Sequence, residues 1–451
     1  MIMFHSTNYK TANVDFKTAI LRGQALDKGL YMLDEIPKLD QELIFSFKDL
    51  MFSEIGYYVL SKMIRDSIPD GVLKIIVNDA LNFDVPIEQI TNIDYICYLD
   101  RGPTCSFKDF GARTLARIMQ YFLEIEDKNV IILTATSGDT GGAVAQAFYE
   151  MDRIKVVVLY PKDEISELQR KQMTTLGKNV TAIGIKGKFD DCQRYAKKAF
   201  ADKDLINLNL SSANSINFGR LLPQTLYYFW SYSKVIEKKN EEVIFSVPSG
   251  NFGNLMGGLI AHRMGLPVRK FIAAVNENDE FPKFIETGNY NKVEPSKNCI
   301  SNAMNVGHPS NLARLIDLYK GHIDELGILH KEPDINRIRN DIISYSISDD
   351  LTKTNIKEFY NKYNKIIEPH GAVGWAALQI YRNQHQDHNI YKSITLETAD
   401  PAKFPNDIID LINITPKLPK ALELIQIKKE FPNPTEIKNY TDFKSFLKNN
   451  Y

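Results

Sequence analysis

Apolar and polar positions divide the 451-residue chain into two kinds of territory. Before Tyr95 the pattern is mixed helix and loop, and apolar residues at near-helical spacing predict a helix from about Glu42 to Asp66. From Tyr95 onward, short apolar runs take turns with amphipathic stretches. Val130-Ile131-Ile132-Leu133, Lys155 to Leu159 and Val180 to Ile185 read as buried strands. Asp109 to Leu123, Gly142 to Met151, Ile165 to Leu176 and Asp190 to Phe200 read as the helices around them. On the first of these helices Ala112, Leu115, Met119 and Phe122 share one face. A second block follows with strand Val243 to Val247, helix Asn254 to Met264 and strand Phe271 to Val275, and Ile394-Thr395-Leu396 is a last short strand. Strands that are apolar throughout, alternating with helices, predict an α/β fold with parallel sheets covered on both faces. From Asn278 to Asp387 helical stretches and polar loops give no legible boundary. The tail after Ala402 is Lys-rich and Pro-punctuated, and is expected to pack as a peripheral appendage.

Bulk properties narrow the partners. A formal net charge of -1 argues against a global attraction to nucleic acid or an anionic membrane surface. No apolar run approaches the roughly 18 residues of a membrane-spanning helix. The first residues, Met1-Ile2-Met3-Phe4-His5-Ser6, lack the basic-then-apolar layout of a secretory signal. Cys97, Cys105, Cys192 and Cys299 form no CxxC pair, so neither a zinc site nor a disulfide framework is expected. A cytoplasmic, reduced protein without a metal is the expectation. Oligomeric state, monomer or homodimer, stays open.

Four segments carry the candidate chemistry, each at a strand end or a helix start. Lys108, in Pro103-Thr104-Cys105-Ser106-Phe107-Lys108-Asp109-Phe110, sits where the positive end of a helix dipole lowers an amine's pKa, and a neutral amine is what Schiff-base formation needs. Thr136-Ser137-Gly138-Asp139-Thr140-Gly141 follows a strand and opens a helix, so small residues and free N–H groups could hold a carboxylate or phosphate. Ser249-Gly250-Asn251-Phe252-Gly253-Asn254 is a second such turn. Its glycines, with Gly257 and a later Glu277, also allow a weak dinucleotide-binding reading. Thr398, after the Ile394 strand, could offer a hydroxyl to a ring nitrogen. Taken singly, each segment is equally a helix start, a capped turn or a strand end. Together they place a lysine nucleophile, two anion-binding turns and a hydroxyl at the strand ends of one α/β domain, where ligands bind in such folds.

With these residues the chain resembles the threonine synthases, within the tryptophan-synthase-β-like, fold-type-II group of pyridoxal-phosphate (PLP) enzymes. The resemblance runs over nearly the whole length. It includes Ser6-Thr7-Asn8, Ala25 to Tyr31, Asn214 to Asn217 with Arg220 and Gln224, Ser301 to Met304 with Gly307 to Asn311, and Ala399 to Phe404. It implies an N-terminal domain over residues 1–94, a catalytic region of two α/β subdomains with parallel-rich sheets over 95–400, and a C-terminal appendage over 401–451. It further implies PLP bound to Lys108, which then acts as general base. Gly250, Asn251, Phe252, Gly253 and Asn254 would cradle the PLP phosphate, Thr398 would meet the pyridine nitrogen, and Asp139 would lie near the ring oxygen. Because an ionised Asp139 would repel a phenolate, one of those two groups is expected to hold a proton. Ser137, Gly138 and Thr140 would take the substrate carboxylate. Arg220, with Asn217, would take the leaving phosphate of O-phospho-L-homoserine, although pairing of Arg220 with a carboxylate is an equal alternative. Three departures stand out: Lys28 in the Leu26-Asp27-Lys28-Gly29 loop where Gly is usual, Cys105-Ser106 before Phe107, and Gly371 where Thr is frequent. The first is expected to bear on domain closure. Competing functions are a threonine dehydratase or cysteine synthase on the same fold, a NAD-dependent oxidoreductase, and a non-catalytic relative kept for binding partners.

Overall fold

The computed structural model describes residues 2–64, 66–433 and 437–451. Two sheets organise the chain. The larger has six strands in the order Ile342–Ser346, Val268–Val275, Val243–Pro248, Lys392–Glu397, Asp94–Tyr98 and Ile87–Gln89. All its pairings are parallel except the last. The smaller is fully parallel, in the order Val180–Ile185, Ile154–Pro161, Val130–Ala135 and Leu210–Ser211. Every residue of Val130–Ala135 and of Val243–Pro248 is buried, which is why these strands read as unbroken apolar runs rather than as alternation.

The predicted helices appear with modest shifts at their ends, as Lys108–Glu126, Asp139–Ala147, Glu167–Thr174, Phe189–Ala201 and Gly253–Arg263. The single helix expected from Glu42 to Asp66 is a correction. The chain instead forms Gln41–Ser46, a 3-10 turn at Phe47–Asp49, and Phe52–Ile64. Leu50 is extended (φ -101, ψ 155), and the Glu54 carboxylate accepts a hydrogen bond from Met51 N at 2.8 Å. The apolar spacing hides this break because Ile44, Phe47, Ile55 and Val59 all point into one core. The region left open in sequence holds helices Asp349–Tyr363 and Pro369–Gln384 and the edge strand Ile342–Ser346, whose half-exposed Ile-Ile-Ser-Tyr-Ser lacks an apolar signature.

The N-terminal segment begins with an antiparallel pair, Phe4–Ser6 with Tyr31–Leu33, and shares its core with the rest. One apolar cluster runs from Phe4 and Phe16 through Phe110 to Phe245 and Phe281. The tail after Ala402 is no loose appendage. Ile437, Phe443, Phe446 and Leu447 cover the small sheet against Ile131, Leu133 and Val157. Leu422 packs on Cys105 and Ala402, and Lys403 turns wholly inward. Among the described residues no helix is long and apolar enough to cross a membrane.

Candidate active site

The loop carrying Lys108 is shaped by its neighbour, Asp109. That carboxylate accepts from Thr104 N at 2.8 Å and from the Thr104 hydroxyl at 2.6 Å, closing the loop just before the helix. The loop is also zipped to the strand end at Thr398: Phe107 N donates to Thr398 O at 2.9 Å and Asp400 N to Cys105 O at 3.2 Å. Lys108 is the first residue of its helix, with its side chain 13% exposed. Burial pushes its amine below the ordinary lysine value. Asp139 pulls back toward the charged form, while Lys403 and Arg220 push the same way as burial.

The turn after Val130–Ala135 is held by Thr136. Its hydroxyl oxygen accepts from Gly138 N at 2.9 Å and Gly141 N at 2.8 Å. Gly138 lies at φ 136, a conformation that a side chain would strain. The Ser137 and Thr140 hydroxyls have no hydrogen-bond partner among the described residues. Asp139 lies 3.5 Å from Lys108 Nζ and 2.5 Å from Lys403 Nζ, and Gln169 Nε2 donates to it at 3.1 Å. Burial alone would raise this carboxyl, but Lys403 and then Lys108 hold it well below the usual carboxylate range. The expectation of a proton on Asp139 or its partner left out Lys403, which supplies the compensating positive charge.

In the turn after Val243–Pro248 the side chains are used internally. Asn251 Nδ2 donates to the Ser215 hydroxyl at 2.6 Å, and its Oδ1 accepts from Ser310 N at 2.5 Å. Asn254 Oδ1 accepts from the Tyr227 and Tyr228 hydroxyls at 2.7 and 2.8 Å. A Cβ on Gly250 would lie 2.8 Å from Met304 Cα, whereas one on Gly253 would meet nothing closer than 3.6 Å. The N–H groups of Asn251, Phe252, Gly253 and Asn254 find no acceptor among the described residues, and Asn254 Nδ2 is buried without a partner. Such unpaired donors at the start of an 11-residue helix fit the phosphate of PLP. A largely buried amine at the start of the Lys108–Glu126 helix fits its aldehyde.

The two turns are linked through Asn214 and Ser215. Asn214 Nδ2 donates to Ala135 O at 3.4 Å while Ser215 holds Asn251. Arg314, fully buried, donates to Ser215 O, Ile216 O and Tyr31 O, tying the N-terminal segment to the same place. Arg220 is buried against Gly111 of the Lys108 helix. Its Nη1 donates to Ala213 O at 2.6 Å, its Nε is unpartnered, and no carboxylate pairs with it among the described residues. Burial lowers its guanidinium to about 10. Asn217 is placed otherwise than expected. Its Nδ2 donates to Ile20 O and Ser212 O, and its Oδ1 accepts from Gly219 N, so the amide caps the short helix carrying Arg220 and is engaged within the protein.

Thr398 donates its hydroxyl to Glu368 Oε1 at 3.0 Å. Glu368 also accepts from His370 N at 2.7 Å, Gly371 N at 3.1 Å and the His370 ring. Gly371 has a purpose here, because a Cβ would sit 1.6 Å from Glu397 Oε2. Burial, and then Glu368, push Glu397 well above the ordinary carboxyl value. The Lys28 departure is accommodated as well: Lys28 sits at φ 67 with its ammonium 3.5 Å from Glu325. Sequence reasoning missed Lys403, Gln169 and the Glu368–His370–Glu397 group. The string Ala399 to Phe404 marked the place of Lys403 but not its role.

Family models agree with this geometry. Residues 86–394 match the model described as pyridoxal-phosphate dependent enzyme, 3–81 the threonine synthase N terminus, and 371–442 the threonine synthase C-terminal segment. A threonine synthase of Buchnera aphidicola subsp. Baizongia pistaciae is 37% identical over 441 residues, covering 97% of each chain. The chain belongs to the threonine synthase family. Its architecture is accordingly the fold-type-II α/β fold of PLP enzymes. The crystal structure of threonine synthase from Escherichia coli matches all of both chains with a TM-score of 0.88 at 34% identity. PLP-bound threonine synthase from Brucella melitensis matches with a TM-score of 0.91 at 30% identity, over 100% of this chain and 99% of that one. Membership of this PLP-dependent family removes the NAD-dependent reading of the Gly250 turn. Gly257 serves packing, since a Cβ there would lie 2.8 Å from the Gln224 backbone.

Proposed function

We propose that this chain converts O-phospho-L-homoserine and water into L-threonine and phosphate in the cytoplasm, with PLP held by Lys108. The observation that carries the reading is the Lys108 amine, buried, held below its ordinary pKa and 3.5 Å from Asp139. Four free, buried cysteines are in keeping with a reducing compartment. Gly250 to Asn254 would hold the cofactor phosphate through backbone N–H groups and Asn254 Nδ2. When bound, PLP acts as an electron sink that makes the substrate's Cα proton removable. Lys108 takes that proton and later returns one, the role its lowered pKa suits. Ser137 and Thr140 orient the substrate carboxylate through their hydroxyls, while Gly138, whose N–H is engaged by Thr136, shapes the turn that presents them. Arg220, with its free Nε, receives the departing phosphate by charge-assisted hydrogen bonds, and Asn217 holds Arg220 in place. Thr398 gives its only proton to Glu368 and so offers lone pairs, which suits a donor at the ring nitrogen. Equal amounts of phosphate and threonine from O-phospho-L-homoserine test the reaction, and release of phosphate without threonine would defeat it. Borohydride reduction and peptide mapping test the lysine, with a pyridoxyl group expected on Lys108 alone.

A further inference from the structure

Two buried lysines share one buried carboxylate. Asp139 Oδ1 is 2.5 Å from Lys403 Nζ, and its Oδ2 is 3.5 Å from Lys108 Nζ. Lys403 has no exposed side-chain surface, and its Nζ also donates to Thr104 O at 3.1 Å, in the loop that carries Lys108. The Lys403 bond to Asp139 is the tighter one, and Gln169 donates to the same oxygen at 3.1 Å. Other charged groups lie around the pair: Arg220 acts on Lys108 from the helix at Phe218–Leu221, and His370 acts on Asp139. Lys403 is itself felt by Asp109, Asp400 and Cys105. One carboxylate does not fully compensate two ammonium ions in a largely buried site, which favours loss of a proton from the more weakly held amine. Lys403 makes the closer contact with Asp139, and Lys108 is the amine left with the weaker hold on that carboxylate.

We propose that Lys403 is a positioning residue for Lys108: by occupying the Asp139 carboxylate it prevents that carboxylate from capturing Lys108 as an ammonium ion. The C-terminal segment thereby sets the chemistry of a lysine almost 300 positions earlier. The inference rests on Lys108 being the reactive amine, but its test does not require the cofactor.

The full-length chain, freed of PLP, is treated with acetic anhydride across a pH series, and acetylation of Lys108 is followed by peptide mapping. In Lys403→Met the midpoint for Lys108 should rise by roughly one pH unit or more, because Asp139 is then left to Lys108. In Asp139→Asn it should fall, because the attraction of the Asp139 carboxylate is gone. Loosening of the site by either change would move both midpoints up toward that of an ordinary lysine, so opposite directions mark the charge effect. An unmoved midpoint in Lys403→Met, or two midpoints moving the same way, overturns the proposal. Should Lys403→Met fail to fold, Asp139→Asn still decides: an unchanged or raised midpoint there is fatal. Addition of PLP separates the two readings. Midpoints that move in opposite directions without a visible absorbance band defeat the cofactor assignment and leave this one standing.

Discussion

The Thr136–Thr140 turn and the Ser249–Asn254 turn each follow a fully buried strand and open a helix. They spend their polar atoms in opposite ways. In the first, Thr136 consumes two backbone N–H groups, leaving the Ser137 and Thr140 hydroxyls and the Asp139 charge pointing outward from the turn's own hydrogen bonds. In the second, the Asn251 side chain and Asn254 Oδ1 are consumed by Ser215, Ser310, Tyr227 and Tyr228, and the backbone N–H groups are left over. A turn that frees side chains suits a substrate that arrives and leaves. A turn that frees backbone donors suits a resident phosphate, because fixed N–H groups cost no side-chain ordering when the ligand binds. Similar strings of small residues therefore present different free groups, and the difference lies in which neighbours reach each turn.

The largest effect should come from the Lys108 amine, which faces Asp139 of the first turn. Lys108→Ala should lower kcat by about 10³-fold, in the range for loss of a general base, while the protein still unfolds cooperatively. Near-normal turnover would mean that neither turn serves this amine. Beneath the Ser249–Asn254 turn, Phe281 packs edge-on against Phe252, and its neighbour Glu280 is 2% exposed. Burial raises Glu280 from 4.5 to about 8, so across that interval the native chain keeps a proton that the unfolded chain has released. Stability from this group is whole below the lower value and is lost as pH rises through the higher one. Glu280→Gln should thus gain little at pH 5 and, on the order of a few kcal/mol, more at pH 8, read as a widening gap in denaturant midpoints. A gap that does not change with pH would place Glu280 outside this support.

Arg220→Ala should raise KM for O-phospho-L-homoserine by roughly 10- to 100-fold, the value of about 1.5–3 kcal/mol for a hydrogen bond to a charged group, and leave the PLP absorbance unchanged. An altered absorbance with normal KM would move Arg220 from the substrate to the frame. Gly250→Ala should cost about 1–3 kcal/mol of stability, because its Cβ would strike the Met304 backbone. Gly253→Ala, with ordinary packing distances, should cost less stability and instead weaken PLP binding, measured by dialysis against dilute cofactor. Smallest are Ser137→Ala and Thr140→Ala, each expected to raise KM a few-fold, for about 0.5–1.5 kcal/mol per neutral hydrogen bond. If either hydroxyl variant released PLP instead, the division of labour between the turns would be wrong.

What the chain's order of residues determined by itself was local. Unbroken apolar runs marked the buried strands, since a strand covered on both faces has no polar side to show, and small residues after them marked the turns. The placement of Lys108 at a helix start and of the Ser137–Thr140 and Gly250–Asn254 turns between strand and helix was legible on that basis, because it depends only on the elements to which they are joined. Tertiary structure decided the rest. Asn217 looked like a ligand but is consumed by Ile20 O and Ser212 O, carbonyls distant or hidden in sequence. Lys403 looked like one basic residue in a basic tail but is wholly buried on Asp139. Gly371 looked like a tolerated change but makes the space that Glu397 fills. The reason is common to all three: what a polar side chain can do depends on the partners that satisfy it and on the water it has lost, and both are set by segments that meet only when the chain has folded.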